Sequence, residues 1–185
     1  MTYKNSKRGF TLLETLVAIT ILVTAIAGPL SIASRSLTNS TISKNQITAF
    51  FLAQDAVEFV RFARDSNELK GANWITGTGG AGSGIDLSSC ASANGCYLDS
   101  TESSPTTPTA CTTSTCSPVI NYDSTNSRFT HAAVGGSVTA TIFTRQIKLT
   151  SLATDEYNLS VTVSWVDNGG VSRNVLITEN IFSWQ

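Results

Sequence analysis

Residues 15–34 offer no ionisable side chain. As a helix rising roughly 1.5 Å per residue, such a run covers the roughly 30 Å of a bilayer's hydrocarbon core. The reading is a membrane-spanning helix close to the N-terminus. Glu14 stands just inside the apolar stretch, where an unpaired carboxylate costs roughly 3 kcal/mol or more. A charge in that position calls for a partner. Before it come Lys4, Lys7 and Arg8 with no acid, which favours a cytoplasmic N-terminus and an exported C-terminal domain, a bias made modest by Arg35 and Lys44 on the far side.

Gly9-Phe10-Thr11-Leu12-Leu13-Glu14, preceded by Lys7-Arg8 and followed by the apolar run, resembles the processing site of type IV prepilins and type II secretion pseudopilins. The shared pattern is a short basic leader ending in Gly, an aromatic residue that begins the mature chain, a Glu four residues on, and a long apolar helix. The resemblance implies that a membrane-embedded prepilin peptidase cuts between Gly9 and Phe10 and methylates the new amine of Phe10. It further implies that Glu14 meets the Phe10 amine of a neighbouring subunit as the helices bundle into a filament.

Elementary electrostatics agrees with those roles. An ammonium and a carboxylate are each costly alone in an apolar bundle, and in contact they offset much of each other's desolvation. Cleavage has to come first, because until then Phe10 carries an amide. An ordinary secretory signal places its cleavage site beyond the apolar region. Here the site precedes it, so the helix is retained.

The 185 residues leave room for one modest globular domain beyond the membrane part. The formal net charge is −1, and loss of the leader makes the remainder more acidic by its three basic residues. No basic tract appears, so strong nucleic-acid binding is not expected. All four cysteines, Cys90, Cys96, Cys111 and Cys116, fall in the exported part, where disulfides form. Intervals of five, fourteen and four residues lack the C-x-x-C knuckles of a zinc site, the rival reading. The simplest pairing is Cys90 with Cys96 and Cys111 with Cys116, and the other two connectivities stay open.

Five segments follow: a leader at 1–9, a transmembrane and filament-core helix at 10–34, an amphipathic helical half at 35–70, a Gly/Ser/Thr-rich connection with the cysteines at 71–117, and an antiparallel sheet at 118–185. Gly28-Pro29 predicts a kink or loosened turn, since Pro29 cannot donate to the Ala25 carbonyl. Pilin helices often carry a proline in this region and can melt there, and the resemblance extends that purpose to Pro29; a tolerated kink is the alternative. After a polar stretch at Thr38-Asn39-Ser40-Thr41, residues 42–65 resume helical periodicity. Ala49, Leu52, Ala53, Ala56, Phe59, Val60 and Ala63 form one stripe, with Gln54, Asp55, Glu58, Arg61 and Asp65 opposite. Glu58 and Arg61 read as a weak exposed pair.

Gly71 ends the helical signal. Gly77-Thr78-Gly79-Gly80-Ala81-Gly82 matches G-x-G-x-x-G but lacks the flanking strand and helix of a dinucleotide site, and reads as flexible loop. The connection reads as poorly able to make a core, so disulfide staples make sense there. Its 100–117 tract, with Pro105 and Pro108, reads as a variable surface loop, with glycosylation the alternative.

From Val119 the period becomes two. Residues 138–149 form one strand candidate with Phe143, Ile147 and Leu149 on a common face. Tyr157, Leu159, Val161, Val163 and Trp165 alternate with polar residues, Asp167-Asn168-Gly169-Gly170 turns the chain, and 172–182 returns antiparallel, leaving Trp184 as an anchor. An Arg-bearing strand, a strand closing on Val163-Ser164-Trp165, an acidic Gly-rich turn and a Leu/Ile-rich last strand resemble the sheet of minor pilins of the pilus-modification type and of I-type minor pseudopilins. The expected fold is α+β and pilin-like, a long N-terminal helix packed on a C-terminal antiparallel sheet.

His131, the sole histidine, has no ordered nucleophile beside it and reads as a strand residue at a surface or hydrogen-bonded edge. No catalytic set, metal site or cofactor is expected. The favoured reading is a minor, tip-associated or assembly-priming subunit of a type IV pilus or type II secretion pseudopilus. A single transmembrane helix would hold it in the cytoplasmic membrane before it joins an extracellular or periplasmic filament. Its partners would be prepilin peptidase and other pilin or pseudopilin subunits. The alternatives are a major pilin subunit or a membrane-anchored adhesin ectodomain.

Overall fold

The computed structural model describes residues 9, 11–100, 107–114, 116 and 118–183. Phe10, the basic leader residues, Pro105 and Trp184 lie outside that set. The chain divides into two compact units, residues 1–44 and 45–185. Helix α1, Leu12–Leu69, is assigned without a break.

In the first unit α1 is apolar and exposed, with Leu12, Leu13, Leu16, Ile19 and Leu22 all more than half accessible. The hydroxyls of its apolar part, up to Ala33, are bonded inward. Those of Thr15, Thr20 and Ser31 donate to carbonyls three residues back, and Thr24 reaches both the Thr20 and Ile21 carbonyls. This removes the cost of placing a bare hydroxyl in an apolar environment. Gly28 and Pro29 sit within continuous helix, so the missing amide of Pro29 does not stop the helix there. The polar stretch at 38–41 is also helical, with the Thr38 and Thr41 hydroxyls donating to the carbonyls of Ser34 and Leu37.

In the second unit seven strands form one antiparallel sheet: β1 Cys96–Tyr97, β2 Thr109–Ala110, β3 Val119–Asp123, β4 Arg128–Thr130, β5 Val138–Ala153, β6 Glu156–Val166 and β7 Ser172–Phe182. Long β5 is central. β6 runs along one edge of it from Thr144 to Ala153, while β3 and then β1 share the other, at Val138 to Thr144 and at Ile147. β7 pairs with β6 over its whole length, from Ser172 opposite Val166 to Phe182 opposite Glu156.

The core lies between the sheet and the second-unit part of α1. Ala49, Ala53, Ala56, Val60 and Ala63 are fully buried, and with Ile147, Leu149, Leu159, Val161, Val163 and Ile181 they form one cluster. Four alanines on that face let helix and sheet backbones approach closely. The Asp167 turn also forms: its carboxylate accepts from the Gly169 and Val171 amides and from Arg173, and Gly170 supplies the left-handed φ of +76°.

Residues 71–117 differ most from expectation. Trp74, Ile75, Ile85, Leu87 and Leu98 are buried members of the core, so this segment helps build the core as well as cover it. A helical turn at Ser88–Ala91 precedes β1. Organisation comes from Asn67, fully buried in the last turns of α1. Its amide donates to the Trp74 and Ile85 carbonyls at 3.1 and 2.9 Å and accepts from the Ile85 amide at 2.8 Å. The glycine run is a packed turn. A Cβ on Gly84 would lie 2.5 Å from Asn67 Oδ1 and from the Gly77 backbone, so only glycine fits. Lys70 caps the turn by donating to the Ser83 carbonyl.

Candidate functional site

Thr11 caps α1. Its carbonyl and hydroxyl oxygens both accept from the Glu14 amide, at 3.0 and 3.3 Å. Thr11-x-x-Glu14 is thus also the sequence of a capping box, a local reading of Glu14 that the apolar run hides. The reciprocal half is not formed: among the described residues the Glu14 carboxylate has neither hydrogen-bond nor ion-pair partner. It is exposed on the first turn, where the helix dipole favours a negative charge, and is free to take a cation from another molecule. Gly9 is exposed and a Cβ there would meet nothing within 4 Å, so nothing in the fold demands glycine. The same holds at Gly28.

The structure pairs Cys90 with Cys96 and Cys111 with Cys116, with Cα atoms 4.4 and 4.9 Å apart. All four residues are buried. The first bridge ties the turn before β1 to the strand itself, and the second closes the bend after β2.

Two charged contacts differ from the sequence reading. Arg61 pairs not with Glu58 but with Glu179 on β7, through Nε at 3.0 Å and Nη2 at 2.6 Å, while Glu58 accepts from Gln54. Asp55, placed on the solvent face, is half-exposed and accepts from both Arg145 and Ser100, at 2.7 and 2.6 Å. Arg145 is 3% exposed on the core face of β5 and also donates to the Leu52 and Leu98 carbonyls at 2.8 and 3.0 Å. Its parity with Phe143 and Ile147 was the available signal.

His131 directly follows β4 and is not a hydrogen-bonded edge residue. Both ring nitrogens are buried without a well-formed hydrogen bond, and its backbone amide donates to Asp99 at 2.7 Å. Burial and the nearby Arg145 charge lower its pKa, against the opposing effects of Asp99 and the Val119 carbonyl. No group of three or more His, Cys, Asp or Glu among the described residues is placed to hold a metal ion.

The prokaryotic N-terminal methylation motif matches residues 4–28, the stretch that holds Gly9, Glu14 and the first half of the exposed apolar helix. No curated protein and no solved structure matches the chain. The chain thus carries a prokaryotic N-terminal methylation motif at the head of one long helix, and an antiparallel sheet follows it in an α+β, pilin-like arrangement.

Proposed function

We propose that the protein is a minor, tip-associated or assembly-priming subunit of a type IV pilus or type II secretion pseudopilus, with a structural and non-enzymatic role. Prepilin peptidase cuts between Gly9 and Phe10 and methylates Phe10. The apolar helix holds the subunit in the cytoplasmic membrane with its C-terminal domain exported, and then joins the filament core.

The observation that carries this reading is Glu14, without a partner among the described residues, at the start of an exposed apolar helix within the methylation motif. An apolar surface of that extent needs lipid or neighbouring helices around it, and a carboxylate beside it needs a cation. The freed amine of Phe10 on an adjacent subunit supplies one. The minor role rests on the resemblance of the β5 to β7 meander to minor-subunit sheets.

Mass analysis of the protein from cells tests the processing step, with a chain beginning at methylated Phe10 expected. Mature filaments whose subunits keep Met1 would overturn it. Subunit stoichiometry in purified filaments tests the minor role: a few copies per filament are expected, and abundance equal to the main subunit would make this the major pilin.

A further inference from the structure

We propose that His131 is a proton-responsive latch: neutral, its ring completes a dry joint that holds residues 98–100 between α1 and β4, and protonated, it opens that joint. The inference is independent of how the subunit assembles.

Four elements meet at this joint. From β5, Arg145 reaches the Leu98 carbonyl and Asp55 of α1, and the Asp55 carboxylate also accepts from Ser100. From the segment after β1, one oxygen of Asp99 accepts from both the Thr130 hydroxyl, at 2.6 Å, and the His131 amide, at 2.7 Å. The imidazole lies against the Tyr97 ring, with centroids 5.3 Å apart. Residues 98–100 are therefore held on one side by Arg145 and Asp55 and on the other by the backbone beside His131.

An imidazolium has no good place here. The cavity lined by His131, Arg145, Asp55 and Asp99 measures about 10 Å³, at the lower limit for a single water, so the charge gains little hydration where it forms. Arg145 already brings one positive charge to the same cavity, and its Nε has no partner among the described residues. The charges facing the ring are Arg145 from β5, Asp99 from the segment after β1 and Asp55 from α1, with Arg128 on β4 itself. Of the two carboxylates, Asp55 is engaged by Arg145 and Ser100, and the Asp99 oxygen nearest the latch by two donors. Burial and Arg145 together outweigh Asp99 and the Val119 carbonyl, so the ring resists protonation in the folded state.

The direction follows. With the folded pKa below 6.5, the unfolded or opened chain takes the proton first. Stability is complete above about 6.5 and declines as pH falls toward the folded pKa. The local way to relieve the charge is for the ring to leave its cavity. Movement of the adjacent backbone then withdraws the amide that holds Asp99 and frees residues 98–100.

As the sole histidine, His131 gives ring signals that need no mutagenesis to assign in the full-length protein in detergent micelles. The expected titration midpoint lies below 6.5. Amide exchange at 98–100, corrected for its intrinsic pH dependence, should accelerate by up to about tenfold per pH unit of that depression as the pH falls from 6.5 through the folded midpoint. His131→Gln should abolish this response. A midpoint at or above 6.5, or protection at 98–100 that does not change with pH, overturns the proposal. So does an acid response retained by His131→Gln. Should that variant not fold, the two wild-type measurements decide.

Discussion

The guanidinium of Arg145 lies 2.7 Å from the carboxylate of Asp55, joining the middle strand of the sheet to the helix that covers it. Arg145 is almost wholly buried, whereas the Asp55 side chain is 46% exposed, so water screens one end of the pair. Asp55→Ala should therefore cost about 1–3 kcal/mol, mostly through the hydrogen bonds that Arg145 and Ser100 lose. Arg145→Lys should not restore the wild type, because one ammonium cannot span three acceptors shared between α1 and the segment after β1. Urea unfolding followed by tryptophan fluorescence, with Trp74 and Trp165 in the core, measures both.

Glu14→Leu should leave membrane insertion intact, since it only extends the apolar run, and should sharply reduce incorporation into filaments. Glu14→Gln should be deficient too, because the amide has no charge to offset an ammonium. Fractionation of membranes and sheared filaments measures the two steps separately, and equal incorporation of mutant and wild type would dismiss the intersubunit role.

Asn67→Ala removes three buried hydrogen bonds at once and strands the carbonyls of Trp74 and Ile85 and the Ile85 amide. A loss on the order of 3 kcal/mol is expected. Limited proteolysis within residues 74–85 should become fast before the sheet itself unfolds.

Each disulfide closes a loop with a sequence separation of only six or five residues, so the chain-entropy gain is about 2 kcal/mol apiece. Cys90→Ser with Cys96→Ser, and Cys111→Ser with Cys116→Ser, should each lower the urea midpoint by a comparable amount and leave a folded sheet. Complete loss of folding from either pair would show that the bridges do more than restrict the unfolded chain.

Two turn carboxylates set an acid limit. The side chains of Asn126 and Ser137 lower the pKa of Asp123, and the Arg173 side chain followed by the Val171 amide lowers that of Asp167. A folded pKa below 3.8 means that the unfolded chain binds the proton first, so this stability is present above about 3.8 and is lost as pH falls through the folded values. Asp123→Asn and Asp167→Asn should flatten the acid limb of a thermal-stability profile below pH 4 and leave the neutral region little changed in slope.

Strong periodicity and local turn chemistry were legible from the residues alone. The alanine-rich stripe of α1, the alternation of β5 and β6 and the Asp167 turn are properties of short stretches, and they form as the spacing implies. The errors arose where a distant partner decides the outcome. Asp55 looks solvated because its helical neighbours are, and only the fold brings Arg145 to it. Arg61 chooses Glu179 across the helix–sheet contact over Glu58 on its own helix. Glycine and serine made residues 71–117 look coreless, although Trp74, Ile75, Ile85 and Leu87 are spaced so that one buried amide at Asn67 can gather them. At the N-terminus, six consecutive residues carry the Gly9 to Glu14 pattern, and no folded context is needed to read it.

Between Leu12 and Ala33 every hydroxyl has been turned back onto its own helix, and the carboxylate of Glu14 is the sole polar side-chain group left unspent. Sideways, the rod therefore looks alike to any greasy neighbour at every level but one. In the proposed filament, neighbours that slide along it have a single detent, set where a cation meets that acid.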